Sequence, residues 1–157
     1  MAKQILTLER LKELFHYDPL IGRFTTLKAR SAGWVEHDGY LRVSIDGRNY
    51  SCHRLAWLYV FGVHPSGEID HIDGCKTNNS IANLRDVPRK TNSENARAAH
   101  RHNKSGLLGV QAKKTGQFEA WIQAAGMRHY LGSFRNADAA HQAYVEAKRR
   151  LHEGCTI

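Results

Sequence analysis

The sequence predicts an α+β chain in two domains. Three observations carry this. Helical and strand periodicities alternate through residues 7–61. A polar stretch rich in Asp, Asn and His follows, from Glu68 to about Arg97. Residues 105–157 then repeat a strand–turn–strand pattern that ends in one amphipathic helix.

Taken in order, residues 7–17 read as a helix. Leu8, Leu11, Leu14 and Phe15 recur at helical spacing, Thr7 is placed as N-cap, and Asp18-Pro19 and Gly22 stop it. Residues 22–27 read as a strand, as does Tyr40-Leu41-Arg42-Val43-Ser44-Ile45. Asp46-Gly47 supplies a hairpin turn before Arg48-Asn49-Tyr50. His53 to Phe61 is apolar almost all round and reads as a buried helix ending at Gly62. Residues 68–97 read as irregular loop, with a short helix from about Thr91.

In the last segment Thr115-Gly116 and Gly126 mark turns between three strands. Phe118, Ala120 and Ile122 fall on one face of the middle strand. Asn136 caps the closing helix, Asp138 sits in its first turn, and Lys148, Arg149 and Arg150 lie near its end, each sign suiting the helix dipole. Ala140, Ala143, Tyr144, Ala147 and Leu151 form its apolar stripe, and Gly154 closes it.

The chain of 157 residues carries 23 Lys and Arg against 15 Asp and Glu, a net charge of +8. Residues 1–104 hold 16 and 11 of these, residues 105–157 hold 7 and 4, so the excess of +5 and +3 is spread over both halves. That balance implies a polyanionic partner, of which nucleic acid is the commonest. The apolar share of 41% argues against a wholly disordered chain, and no apolar run is long enough to span a membrane. Met1-Ala2-Lys3-Gln4-Ile5 has no apolar core of a secretory signal, so a cytoplasmic protein is expected. Cys52, Cys75 and Cys155 are odd in number and scattered without a CxxC pair, which argues against a zinc ribbon and a disulfide scaffold.

The best chemical constellation is Asp70-His71, with Asn83 twelve residues after the histidine and Asn92 nine further on. Phosphodiester cleavage needs an activated water and a counter-charge for the phosphorane and the leaving oxygen. Histidine titrates near neutrality and suits the first task. Carboxylate and amide oxygens are hard ligands suited to Mg²⁺ or Mn²⁺. Neighbours on a strand point opposite ways, so an irregular loop is expected to swing Asp70 and His71 toward one phosphate.

His53-Arg54-Leu55-Ala56-Trp57, Pro65, Ile69-Asp70-His71-Ile72-Asp73-Gly74, Asn78-Asn79, Ile81, Asn83-Leu84-Arg85 and Asn92-Ser93-Glu94-Asn95 together resemble the HNH endonucleases, above all the phage and intron homing enzymes. The resemblance spans roughly residues 20–97. It implies a ββα-metal finger, a hairpin with a long loop followed by a helix. It implies that Asp70 and Asn92 hold one divalent ion, that His71 is the general base, and that Asn83 braces the loop and the histidine backbone. Asn92 stands where many relatives have a last histidine, an H-N-N variant. Glu94, Asn95 or Asp73 remain alternatives at the metal, no structural zinc is expected, and Asp73, Asn78 and Asn79 also suit plain turn roles.

Ser105-Gly106-Leu107-Leu108-Gly109-Val110, Gly116-Gln117-Phe118-Glu119-Ala120-Trp121-Ile122, Tyr130-Leu131-Gly132-Ser133-Phe134 and Ala137-Asp138-Ala139-Ala140 with Ala143-Tyr144 are similar to the AP2 DNA-binding domain. That resemblance implies a three-stranded sheet laid in the major groove with one helix behind it. The expected DNA-facing residues are Gln111, Lys113, Lys114, Gln117, Glu119, Trp121, Gln123, Arg128 and Tyr130, with Arg97, Arg101 and Lys104 from a basic linker. Gln111, Lys113 and Gln123 depart from the arginines of the plant factors, so a GC-rich target is not implied.

The expectation is therefore a homing-type DNA endonuclease or nickase. Residues 1–97 form the HNH domain, 98–104 a linker and 105–157 the AP2-like domain. The partner is double-stranded DNA, with no membrane and no small-molecule cofactor. The chain is expected to be a monomer or homodimer in a bacterial cytoplasm, with a phage or an intron as candidate sources of its gene. The competing class is a non-catalytic DNA-binding regulator with a relic finger, and an RNA-directed nuclease is a third.

Overall fold

A computed structural model describes residues 5–96, 98–99 and 102–156. The chain divides into two compact units, Met1–Pro88 and Arg89–Ile157.

In the first unit, α1 (Leu8–Leu14) starts at Thr7, whose Oγ1 accepts from the Arg10 amide. It stops well before residue 17. Phe15–Asp18 is instead a strand, β1, paired antiparallel with β2 (Arg23–Thr26), with Tyr17 opposite Phe24. The reason is a change of period. Phe15 and Tyr17 are buried and His16 between them is exposed, an alternation only a strand gives. Phe15 fits both patterns, which is why the helix reads too long in the sequence.

A second sheet runs β3 (Trp34–Val35), β4 (Leu41–Ile45) and β5 (Arg48–Ser51), antiparallel in that order, with Asp46-Gly47 as the turn between the last two. Helix α2 (Cys52–Phe61) follows and ends at Gly62 as expected, whose N–H donates to the Leu58 carbonyl. It is only partly a buried helix. Leu55, Ala56 and Leu58 join the core, but Val60 and Phe61 at its end are exposed. The core gathers Leu11, Tyr17, Phe24, Ile45, Leu55 and Ile69.

Residues 68–87 are more ordered than their polarity suggests. Glu68–His71 forms β6 and pairs antiparallel with β7 (Leu84–Val87). Asp70 and His71 therefore lie on a paired strand and not in an irregular loop. Their polar side chains hide the strand signal, because partners within the fold satisfy them. The long loop between the strands closes with a single 3-10 turn at Ile81–Asn83.

The second unit opens with α3 (Arg89–Glu94). Then come β8 (Val110–Ala112), β9 (Phe118–Ala124), β10 (Met127–Phe134) and α4 (Ala137–Leu151). The antiparallel sheet has β9 at its centre. Ala120 and Ile122 face α4 and are buried with Ala140, Tyr144 and Ala147. Asn136 caps α4 by accepting from the Ala139 amide. Two details of this helix differ from expectation. Leu151 is exposed, whereas Lys148 is fully buried and its Nζ donates to the Ala96 carbonyl. The helix also ends at Leu151, ahead of Gly154, which instead packs on Thr91 of α3. These contacts tie α3 and Ala96 to α4 and the residues after it, in keeping with a division after Pro88. No helix among the described residues is long and apolar enough to cross a membrane.

Candidate active site

Asp70 and His71 sit side by side on β6, both buried, at 7% and 4% exposure. The register puts Asp70 directly across from Arg85 on β7. The guanidinium donates to Asp70 Oδ2 from Nε at 2.9 Å and approaches it with Nη2 at 2.7 Å. Arg85 was legible as part of a motif, but its pairing required knowing that 68–71 and 84–87 are strands in this register.

His71 meets a different set of groups. Its Nε2 lies 2.9 Å from Asn79 Oδ1. The His53 ring stands edge-on at 5.3 Å between centroids, and Tyr40 lies at 5.9 Å from His71 and 5.1 Å from His53. Burial, with the charge of His71 second, drives the His53 imidazole down to about 3, so it is neutral at ordinary pH. Burial likewise pushes the Tyr40 phenol up, helped by the negative charges of Asp38, Asp70 and Glu68. Lys76 closes the outer side, with its ammonium 4.8 Å from the centre of the Tyr40 ring and donating to the Asp38 carbonyl. In the sequence Tyr40 reads as a strand residue, His53 as the start of a buried helix and Asn79 as a turn residue, and no local signal places them beside His71.

Asn83 binds the long loop together. Its carbonyl accepts from the Ile72 amide at 2.9 Å, beside His71. Its Oδ1 accepts from the Asp73 amide, and its Nδ2 donates to Asp73 Oδ1 and the Asn78 carbonyl, all within 3.0 Å. Asp73 also accepts from the Cys75 amide and from Asn78 Nδ2. Burial works against the Asp73 carboxylate, but these hydrogen bonds outweigh it and hold the carboxyl below its usual range. Asp73 is thus occupied in the turn.

A search of curated proteins returns no match. A family model does match part of the chain. Residues 50–94 match HNH_3, the HNH endonuclease family. A solved structure described as "DNA binding and cleavage by the HNH homing endonuclease I-HmuI" is similar at a TM-score of 0.48 and 19% identity, over 97% of this chain and 95% of that one.

The HNH-matched segment contains Asp70, His71 and Asn83 in the first unit and Asn92 on α3 in the second. The first three lie on one hairpin and its loop, with Asp70 and His71 as strand neighbours that meet different partners, Arg85 and Asn79. Like Asp73, the other two alternatives at the metal have partners of their own: Glu94 faces Lys90 one turn back at 3.8 Å, and Asn95 Oδ1 accepts from the Thr156 hydroxyl. Among the described residues no group of three or more His, Cys, Asp and Glu is placed to hold a metal ion. Of the two expected ligands, Asp70 lies in the first unit and Asn92 in the second. Each offers an oxygen of the kind that a hard divalent ion takes.

In the second unit the outward face of the sheet bears most of the expected DNA-facing side chains. Gln111, Lys113, Lys114, Gln117, Gln123, Arg128 and Tyr130 are exposed, Glu119 and Trp121 half-buried. They are knitted together: Arg128 lies over the Trp121 ring at 4.2 Å and donates to Gln111, Trp121 packs on Tyr130, and Glu119 pairs with Lys113 at 3.0 Å. Lys104 is exposed on the segment before β8, while Arg97 and Arg101 lie outside the described residues.

Proposed function

We propose that the chain is a metal-dependent DNA endonuclease of homing type. The observation that supports it most is the pairing, inside the segment that matches the HNH family, of a buried carboxylate and a buried imidazole on adjacent residues of one braced strand. His71 acts as the general base that takes a proton from the attacking water. Asn83 is a positioning residue, holding the loop and the backbone beside His71. Asp70 is the residue of the first unit that would hold a Mg²⁺-like ion, and the HNH resemblance implies Asn92 as a second ligand. Such an ion, when bound, supplies positive charge to the phosphorane and the leaving oxygen. Arg85 orients the Asp70 carboxylate through their ion pair.

The second unit is the reader of DNA in this proposal. Its resemblance to AP2 domains and the exposed row of amides, cations and aromatics support that role. Amides at Gln111 and Gln123 favour adenine over guanine.

Purified protein with Mg²⁺ or Mn²⁺ is expected to nick or linearise plasmid DNA, with EDTA abolishing the reaction. His71→Ala is expected to lose cleavage and keep DNA binding. A His71→Ala chain that cuts as well as wild type removes His71 from the reaction.

One observation favours a second reading, a DNA-binding regulator that does not cut. The Asp70 carboxylate is already committed to Arg85, as in a structural ion pair. Absence of cleavage of a selected preferred site under every divalent ion tried would favour it.

A further inference from the structure

Asn79 is the most completely buried polar residue beside His71, with 0% exposure. Among the described residues its carboxamide has one side-chain hydrogen-bond partner, His71, whose Nε2 lies 2.9 Å from the accepting Oδ1. Its Nδ2 is buried without a partner among the described residues. A buried donor left unpaired costs about 1–3 kcal/mol. A leucine of similar shape would avoid that cost, so the oxygen that faces His71 is the part of the residue that does something.

Its main chain is fixed with equal care. The Tyr17 hydroxyl, buried on β1, donates to the Asn79 carbonyl at 2.6 Å. The Asn79 amide donates to Thr77 and the next turn is held by Ile81 N–H on the Pro19 carbonyl. Gly22 lies against the Asn79–Ser80 peptide so closely that a Cβ there would stand 2.1 Å from the Ser80 nitrogen. Tyr17, Pro19 and Gly22 come from the β1–β2 hairpin, outside the residues that match the HNH family.

An amide oxygen only accepts hydrogen bonds, so the His71 nitrogen facing it carries the hydrogen. In a neutral imidazole the other nitrogen then holds the lone pair. We propose that Asn79 is a positioning residue for cleavage: its carboxamide oxygen holds His71 in the Nε2–H tautomer and makes Nδ1 the nitrogen that receives the proton of the attacking water. The inference rests on the reading of His71 as general base. The water's proton moves to Nδ1, its oxygen bonds to phosphorus, and the bond to the leaving oxygen breaks.

The test compares Asn79→Asp, which keeps an acceptor, with Asn79→Leu, which keeps the shape without one. Two measurements are made on the full chain: plasmid cleavage with Mn²⁺, and long-range ¹H–¹⁵N NMR of the His71 ring without metal or DNA. Wild type is expected to show hydrogen on Nε2. Asn79→Leu is expected to lose the single tautomer and to cut about 10- to 100-fold more slowly, with DNA affinity unchanged. Asn79→Asp is expected to recover most of both. A wild-type ring with hydrogen on Nδ1 overturns the proposal, as does an Asn79→Leu chain that cuts at the wild-type rate with an unchanged ring spectrum. If wild type never cuts while the ring spectrum still responds to Asn79→Leu, the nuclease reading falls, and the catalytic role of Asn79 with it. Should Asn79→Leu fail to fold, Tyr17→Phe removes only the hydroxyl that anchors Asn79. A slower cut with a mixed tautomer then supports the proposal, and wild-type behaviour in both overturns it.

Discussion

Asp70 and Arg85 stand directly opposite each other on β6 and β7, and the guanidinium closes on one carboxylate oxygen at 2.7 and 2.9 Å. The carboxylate is almost wholly buried and the guanidinium only partly, with side-chain exposures of 9% and 27%. Removing one partner of such a pair strips a buried charge of a close counter-charge. Arg85→Leu is therefore expected to destabilise the first unit by about 2 kcal/mol, reduced from the fully buried range because Arg85 keeps some contact with solvent. Urea unfolding checks it. An unchanged midpoint would mean that water already reaches Asp70.

Gly22 and Gly116 both have positive φ, +70° and +80°, but differ in what surrounds them. At Gly22 a Cβ collides with the Asn79–Ser80 peptide, while at Gly116 nothing lies within 4 Å. Gly116→Ala is expected to cost about 1 kcal/mol, the conformational term alone. Gly22→Ala adds a backbone collision and is expected to cost 3 kcal/mol or more, roughly. It is also expected to disturb the His71 ring environment, since the colliding atoms belong to Asn79 and its neighbour. Thermal melts of both variants, with His71 ring NMR, test the contrast.

The buried His53 makes the first unit sensitive to mild acid. Folded, its pKa is driven down to about 3, against 6.5 when free. Below 6.5 the unfolded chain binds a proton that the folded chain refuses, so stability falls as pH drops toward 3. His53→Phe is expected to flatten that slope between about pH 6.5 and 5, above the range where carboxyls titrate. Urea midpoints measured across this window decide it. A slope as steep as wild type would assign the effect to other groups.

On the outward face of the second unit, Lys113 is paired with Glu119 at 3.0 Å and Lys114 beside it is exposed. If this face binds DNA, Lys114→Ala is expected to lower the slope of log affinity against log salt by about one. Lys113→Ala is expected to lower it less, because Glu119 already offsets that charge. Fluorescence anisotropy at several salt concentrations measures both. Equal slopes for wild type and Lys114→Ala would put the DNA elsewhere.

Much of this fold is legible in the sequence because local signals agree with it. Thr7 and Asn136 cap the helices they precede, Asp46-Gly47 turns the hairpin it interrupts, and Ala120 and Ile122 alternate into the core. Failures come where a residue serves two periods or hides its partner. Phe15 completes a helical stripe and also begins a strand. Asp70 and His71 look like loop residues because nothing in sequence reveals Arg85 and Asn79 waiting to satisfy them. Lys148 has the right charge for an exposed helix end, yet it is buried and donates to the Ala96 carbonyl.

The sequence by itself determined the two-part α+β plan, the positive charge in both parts, and a run of motif residues through Asp70, His71, Asn83 and Asn92 whose resemblance to the HNH endonucleases implies hydrolysis of nucleic acid. Composition, order and resemblance survive without knowing any distance. Only the tertiary structure decided which groups touch His71. Asn79 is eight residues away along the chain and Tyr17, which fixes Asn79, is 62 residues from it. A hydrogen bond is set by separation in space, and hairpin register and packing, not sequence spacing, bring Tyr17, Asn79 and His71 within reach of one another.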